Sequence, residues 1–347
     1  MVDNKTIVFK KIPTGLPVPG EHLVVETRPF DLDAVPAGGA IVEILSISLD
    51  PYLRFRMREA HIPSYAPAFA LGEAADNDTI ARVLKSDSAA YGAGDLLYAY
   101  LPWAQYAAVG ADKLAQAKKL DNPHGLSPDL FLGPLGMPGL TAYSSLHRVG
   151  KLKKGETIFV SSAAGAVGQV VGQIAKREGL TVIGSVGSEE KRAFIVDELG
   201  FDGAFNYKEE RPLDALKRLA PQGLDIYFEN VGGEHLEAAI EHLNIHGRII
   251  VCGMIESYNK PLEERYGVRN LQEFFAKRLS MAGILVFDEE FGPAYTEEHQ
   301  RNVQQWIADG SFPAKLHVTR GLDNGPQALL DLFQGKNFGK AVLKVKD

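Results

Sequence analysis

At 347 residues, with 45% hydrophobic and 23% charged side chains, the chain is long enough for two buried cores and holds no apolar run of the roughly 18 residues that a membrane span requires. A formal net charge of -7 without a long lysine/arginine cluster weighs against a nucleic-acid partner. The single cysteine, Cys252, leaves no internal disulfide and no multi-thiolate zinc site, and the nine histidines show no HExxH or similarly tight ligand spacing, so no metal site is expected. The opening residues MVDNKTIVFKK lack the apolar stretch of a signal peptide, which makes the cytosol the expected location.

Residues 1–125 are short apolar runs broken by proline and glycine: HLVVETRPF, GGAIVEILSISLDP, TIARVLKS and DLLYAYLPWAQYAAV read as strands of a β-rich domain. Within them Trp103 and Tyr106 read as core or interdomain aromatics. Arg54 and Arg56 read either as a basic pocket or as structural ion pairs. Residues 126–150 bridge into a second domain, starting a helix at Ser127-Pro128 and expected to break it at Gly136-Met137-Pro138-Gly139. His61 and His147 read as ordinary polar side chains rather than acid/base catalysts.

From Gly155 onward β-like and helical stretches alternate. TIFVS precedes AVGQVVGQIAKREG, TVIGSV precedes EEKRAFIVDELG, and GAFNY, LDIYFEN, RIIVCG and SMAGILVF follow with helical runs between and after them. That alternation predicts successive βα units and a parallel, doubly wound sheet. Cys252, in the run RIIVCG, reads as a buried strand residue rather than a reactive thiol. From Phe312 the chain returns to short strands around one helix (KLHVTR, PQALLDLF, KAVLKV), so that β-rich sequence brackets the α/β block.

The strand TIFVS runs into Ser161-Ser162-Ala163-Ala164-Gly165-Ala166-Val167-Gly168 and then directly into a helical pattern. Glycine at such a turn lets backbone amides approach a pyrophosphate, and the helix N-terminus favours its charge. The first glycine of GxGxxG is missing, but the place after the first strand of a βαβ series points to dinucleotide binding through Gly165, Ala166, Val167 and Gly168. The next strand ends in Gly187-Ser188-Glu189-Glu190-Lys191-Arg192, without the acidic residue that commonly binds the ribose of NAD. Lys191 or Arg192, with Ser188 as a hydroxyl donor, suits a 2′-phosphate instead, so NADP(H) is the expected cofactor.

Seven further stretches act together: SLDPYLRFRM at 48–57, LGMPGLTAYSSL at 135–146, SSAAGAVGQVVGQIAK at 161–176, GFDGAFNYK at 200–208, YFENVGG at 227–233, CGMIESYN at 252–259 and KNFGKAVLKV at 336–345. Spread over nearly the whole chain, they resemble the zinc-independent medium-chain reductases typified by leukotriene B4 12-hydroxydehydrogenase (prostaglandin reductase) and the alkenal double-bond reductases. The resemblance implies a GroES-like domain, residues 1–125 and 312–347, around a Rossmann domain, residues 126–311, in a homodimer. It implies NADPH-dependent reduction of the C=C bond of α,β-unsaturated aldehydes and ketones. Gly165 and Gly168 would lie by the pyrophosphate, Lys191 and Tyr207 by the 2′-phosphate, and Asn230 and Val231 on the nicotinamide side. Cys252, Gly253 and Ile255 follow the next strand, and Asn337 belongs to the C-terminal cofactor motif. Tyr258 is the candidate for hydrogen bonding to the substrate carbonyl, and Tyr52, in DPYLR, is a second pocket candidate. Ser162 stands where the family commonly has alanine.

An enone is electrophilic at its β-carbon, so hydride delivered there drives negative charge onto the carbonyl oxygen. A tyrosine hydroxyl can stabilise that charge without a metal. Two other readings stand beside this one: an NADPH quinone reductase on the same platform, and an NADPH-binding protein with little turnover. The lone cysteine opposes a zinc alcohol dehydrogenase.

Overall fold

In the computed structural model, which describes residues 1–346, the chain forms two compact units. One is Met1–Leu132 with Leu316–Asn337 and the residues from Ala341 onward; the other is Gly133–Lys315 with Phe338–Lys340.

Period-two alternation builds the first unit. Strands β1 (Val2–Phe9) and β2 (Leu23–Phe30) pair antiparallel. They are followed by β3 (Ala40–Ser48), helix α1 (Leu53–Arg56), β4 (Asp76–Ser86), β5 (Leu96–Pro102), β6 (Tyr106–Val109), α2 (Ala111–Gln116) and the short β7 (Lys118–Lys119). On β5 Leu97, Ala99 and Leu101 face the core while the residues between them do not. The run DLLYAYLPWAQYAAV is two strands rather than one, because Pro102 has no N–H for a ladder. The chain turns there with Trp103 fully buried and its backbone N–H donating to the Ala75 carbonyl at 2.7 Å.

Arg56 resolves as a structural cation rather than a basic pocket: it is buried, pairs with Asp76 Oδ1 at 2.7 Å and donates to the Pro67 carbonyl at 2.9 Å. Arg54 donates to the Pro13 carbonyl at 3.1 Å.

The second unit opens with α3 (Met137–Ser145). Contrary to the expected break, the Gly-Met-Pro-Gly segment starts this helix. Pro138 sits in its first turn, where a missing N–H costs nothing. Strands and helices then alternate: β8 (Thr157–Val160), α4 (Gly168–Arg177), β9 (Thr181–Val186), α5 (Glu189–Ala193), β10 (Gly203–Asn206), α6 (Pro212–Leu219), β11 (Leu224–Glu229), α7 (Gly233–His242), β12 (Leu243–Val251), α8 (Glu273–Lys277), β13 (Ser280–Gly283) and α9 (Gly292–Ala308).

The six strands form one parallel sheet in the order β10-β9-β8-β11-β12-β13. Phe159, Phe205 and Tyr227 fill its core, with the Phe159 and Tyr227 rings stacked 4.9 Å apart. Each such ring contributes on the order of 2 kcal/mol by burial. The strand order reverses between β8 and β11, and in sheets of this kind ligands bind in the crevice outside the strand ends at that reversal.

The C-terminal stretch adds β14 (Leu316–Arg320), α10 (Gly325–Phe333) and β15 (Lys340–Lys344). A seven-stranded path includes β14-β15-β3-β4-β5-β7, with β6 on the flank of β3 and β15 antiparallel to β3. Among the described residues no helix is long and apolar enough to cross a membrane.

Candidate active site

Three strand ends converge at the reversal. After β8 the chain makes a tight turn in which Ser162 adopts the left-handed conformation (φ 51°) and its carbonyl accepts the Gly165 N–H at 2.9 Å. At Gly168 a Cβ would stand 2.4 Å from the Ser162 carbonyl oxygen and 2.8 Å from the Ala163 Cα, so only glycine lets α4 begin this close to the strand. Gly165, Ala166 and Val167 remain half-buried across the turn, ahead of a ten-residue helix. Gly339 forms a parallel bridge with Gly165, which brings the Phe338–Lys340 segment against the loop. Gln169 ties that arrangement down, accepting the Lys315 N–H at 2.8 Å and donating to its carbonyl at 3.2 Å. Asn337 is the last residue of its stretch of the first unit.

The ends of β9 and β10 bring Gly187, Ser188, Lys191 and Tyr207 together. A Cβ on Gly187 would lie 3.1 Å from the Tyr207 hydroxyl. Ser188 Oγ caps α5, accepting the Lys191 N–H at 3.3 Å; capping uses a lone pair, so the hydroxyl keeps its donor. Of the two cations weighed for the 2′-phosphate, Arg192 is engaged by Glu189, Nε to Oε2 at 2.7 Å. The Lys191 ammonium pKa is lowered, first by burial and then by the neighbouring Lys208. The Glu190 carboxylate opposes that lowering with a smaller pull.

At the end of β11 Asn230 bonds back to the end of β8, its N–H to Ser161 Oγ at 2.9 Å and its Nδ2 to the Ser161 carbonyl at 2.8 Å. The Asn230 and Val231 carbonyls accept the Ile255 and Glu256 N–H groups at 3.2 and 3.0 Å. Those bonds seat the short helical turn Ile255–Ser257, which delivers Tyr258. The Tyr258 oxygen accepts the Met254 N–H at 3.1 Å, and burial pushes its hydroxyl up to about 12 despite that donor. The phenol therefore keeps its proton near neutrality.

Cys252 is not a buried strand residue: it falls one position beyond β12 and is half-buried, its N–H closing the ladder to β11 at the Glu229 carbonyl, 2.9 Å away. Burial and the Glu229 charge push its thiol up to about 12, which makes it a poor nucleophile. Tyr52 lies in the first unit with its hydroxyl donating to Asn77 Oδ1, and burial holds its pKa well above the ordinary range.

Two groups at this site escaped the sequence reading. Glu229 and Ser161 sit at the ends of the apolar runs LDIYFE and TIFVS, and both are fully buried. An acid closing an otherwise apolar strand is the signal that would have found the first. Among the described residues, no group of three or more His, Cys, Asp or Glu side chains is arranged to hold a metal ion.

A six-stranded parallel sheet with a glycine turn at its reversal, in one chain with a separate, largely antiparallel sheet, defines a two-domain nucleotide-dependent dehydrogenase/reductase. Residues 166–300 match the family model described as "Zinc-binding dehydrogenase", and residues 5–117 the one described as "N-terminal domain of oxidoreductase". The chain is 47% identical to the NADP-dependent oxidoreductase RED1 of Cochliobolus heterostrophus, over 100% of this chain and 99% of that one. It is 42% identical to a 2-alkenal reductase (NADP(+)-dependent) of Nicotiana tabacum, over 99% and 98%. The crystal structure of CurA in complex with NADPH from Vibrio vulnificus superposes with a TM-score of 0.88 at 34% identity, covering 99% of each chain. The chain belongs to the medium-chain dehydrogenase/reductase family.

Proposed function

We propose that this protein reduces the C=C bond of α,β-unsaturated aldehydes or ketones with NADPH, as a cytosolic homodimer. The observation that carries the reading is Tyr258: a half-buried phenol, protonated at neutral pH, polarised by the Met254 N–H and carried by a turn that is hydrogen-bonded to the residues after β11, one of the two strands at the reversal. The name of the tobacco relative and the nucleotide in the Vibrio structure support the same chemistry.

Gly165, Ala166, Val167 and Gly168 hold the pyrophosphate of the cofactor. Gly187, Ser188, Lys191 and Tyr207 hold its 2′-phosphate, and Asn230, Val231, Cys252, Gly253 and Ile255 form the nicotinamide side, with Asn337 a further contact. Bound there, NADPH supplies hydride to the β-carbon of the enone. Tyr258 donates a hydrogen bond to the carbonyl oxygen, where charge accumulates as the C=C electron pair shifts; a donor whose oxygen already accepts an N–H is the stronger for it. The α-carbon then takes a proton, from Tyr258 or from solvent. Tyr52, whose hydroxyl donates to Asn77, is the second candidate for the substrate side.

The experiment is NADPH oxidation with a panel of 2-alkenals, enones and quinones, NADH in parallel, and products identified by mass spectrometry. Saturated carbonyls formed preferentially with NADPH are expected; turnover confined to quinones, or binding without turnover, would replace the reading. Tyr258→Phe is expected to lower turnover about 100-fold while leaving NADPH affinity near wild type. Unchanged single-turnover hydride transfer would remove Tyr258 from the mechanism.

A further inference from the structure

Glu229 closes β11 with no exposed surface, in a strand whose neighbours in sequence and space are mostly apolar. Its Oε1 accepts from the Tyr227 hydroxyl at 2.7 Å, from the Val231 N–H at 2.6 Å and from the Gly232 N–H at 2.8 Å, with Ser161 Oγ at 3.4 Å. Its backbone carbonyl accepts the N–H groups of Cys252 and Gly253 at 2.9 and 3.1 Å. One residue thus ties together the ends of β8, β11 and β12. Its Oε2 is shut off from solvent and finds no partner among the described residues.

Burying a carboxyl with one oxygen unpartnered carries a desolvation cost that the donors on its other oxygen offset only in part. Burial raises its pKa against the pull of the donors around it. What the carboxyl does supply is geometry. By fixing the Val231 and Gly232 N–H groups it sets a turn in which Gly232 and Gly233 both take positive φ, 82° and 56°. The carbonyls of that turn hold Ile255 and Glu256, and through them the segment carrying Tyr258.

We propose that Glu229 is a positioning residue that locks Asn230–Gly232 and Cys252–Tyr258 into one rigid platform for the nicotinamide end of the cofactor. The proposal rests on the reading above that this end of the cradle faces the nicotinamide. Without the carboxyl the Val231 and Gly232 N–H groups lose their acceptor and the turn relaxes, while Gly165–Gly168, beyond the Ser161 contact, and the Lys191–Tyr207 cluster stay in place.

Two ligands separate the effects: NADPH, and 2′,5′-ADP, which has the adenosine half without the nicotinamide. Glu229→Ala is expected to weaken NADPH binding about 10-fold and leave 2′,5′-ADP within about twofold. Amide hydrogen exchange should rise at 230–233 and 253–258 but not along α4, and kcat should fall about 100-fold, the cost of a misplaced reactant. Glu229→Gln, which keeps an acceptor oxygen, should restore NADPH binding and kcat to within about threefold. Equal weakening of both ligands would make Glu229 a support of the whole domain, and no change in either would leave it without a role; each overturns the proposal. If Glu229→Ala does not fold, Ser161→Ala, which removes the acceptor of the Asn230 N–H, must show the same split. Wild-type protein that binds NADPH no more tightly than 2′,5′-ADP would overturn the nicotinamide placement itself. Wild-type turnover of an alkenal, with no split in the variants, would overturn only the role of Glu229.

Discussion

Gly253 shows how tightly single positions constrain this site. A Cβ there would stand 2.6 Å from the Tyr258 hydroxyl, with the next atoms no nearer than 3.8 Å. The obstacle is the tip of one side chain rather than backbone, so Gly253→Ala should fold, with its melting temperature within about 4 °C of wild type. The displaced hydroxyl, however, would lose its Met254 N–H bond, and kcat should fall at least about 10-fold. Steady-state kinetics beside a thermal melt checks this; full activity would place the reacting carbonyl elsewhere. Chemistry at this scale was partly legible in the sequence. The glycine turn and the missing acid after TVIGSV can be read directly, because each acts through its own backbone or its absence. Between Lys191 and Arg192 the residue types alone do not choose; the family resemblance points to Lys191, and the engagement of Arg192 by Glu189 is visible only in the structure. Glu229 was hidden for the same reason: its partners come from three strand ends.

Elements were more legible than their arrangement. Alternating βα runs announce a parallel sheet, but the order β10-β9-β8-β11-β12-β13 depends on which side each crossover takes, which no local pattern records. Proline misled the reading of α3, where Pro138 opens the helix. The run SMAGILVF yields only four strand residues, Ser280–Gly283, and they form the outer edge of the sheet with Ser280, Met281 and Gly283 exposed and Phe287 exposed just beyond. An edge with exposed apolar side chains is a template for a second copy of itself, and a two-fold axis there would continue the sheet. Light scattering is expected to give twice the chain mass. Met281→Asp, which would place like charges across that axis, should return the protein to one chain per particle, whereas a monomeric wild type would remove this assembly.

The stability of the folded chain against acid follows from two histidines that the sequence shows only as dispersed. His235 and His299 are both buried in the second unit, and burial lowers each pKa to about 4 from an ordinary 6.5. His235 lies among Phe159, Phe205 and Tyr207, and its Nε2 has no partner among the described residues. His299 Nε2 donates to the Pro134 carbonyl at 2.8 Å. Above pH 6.5 neither state binds a proton at these sites, and stability does not depend on them. Between 6.5 and 4 the unfolded chain binds protons that the folded chain refuses, so stability falls as pH falls, by up to about 3 kcal/mol for each histidine. Below about pH 4 the loss levels off. Glu229 opposes this trend, since a raised carboxyl pKa makes the folded state the better proton acceptor, but it is one group against two. Melting of the second unit should therefore move to lower temperature from pH 6.5 to pH 4. A His235→Phe, His299→Gln double variant, which keeps the stacked ring at one site and a donor at the other, should flatten that slope while behaving like wild type at pH 7.5. An unchanged slope in the double variant would mean that the histidines are reached by solvent and titrate at their ordinary pKa.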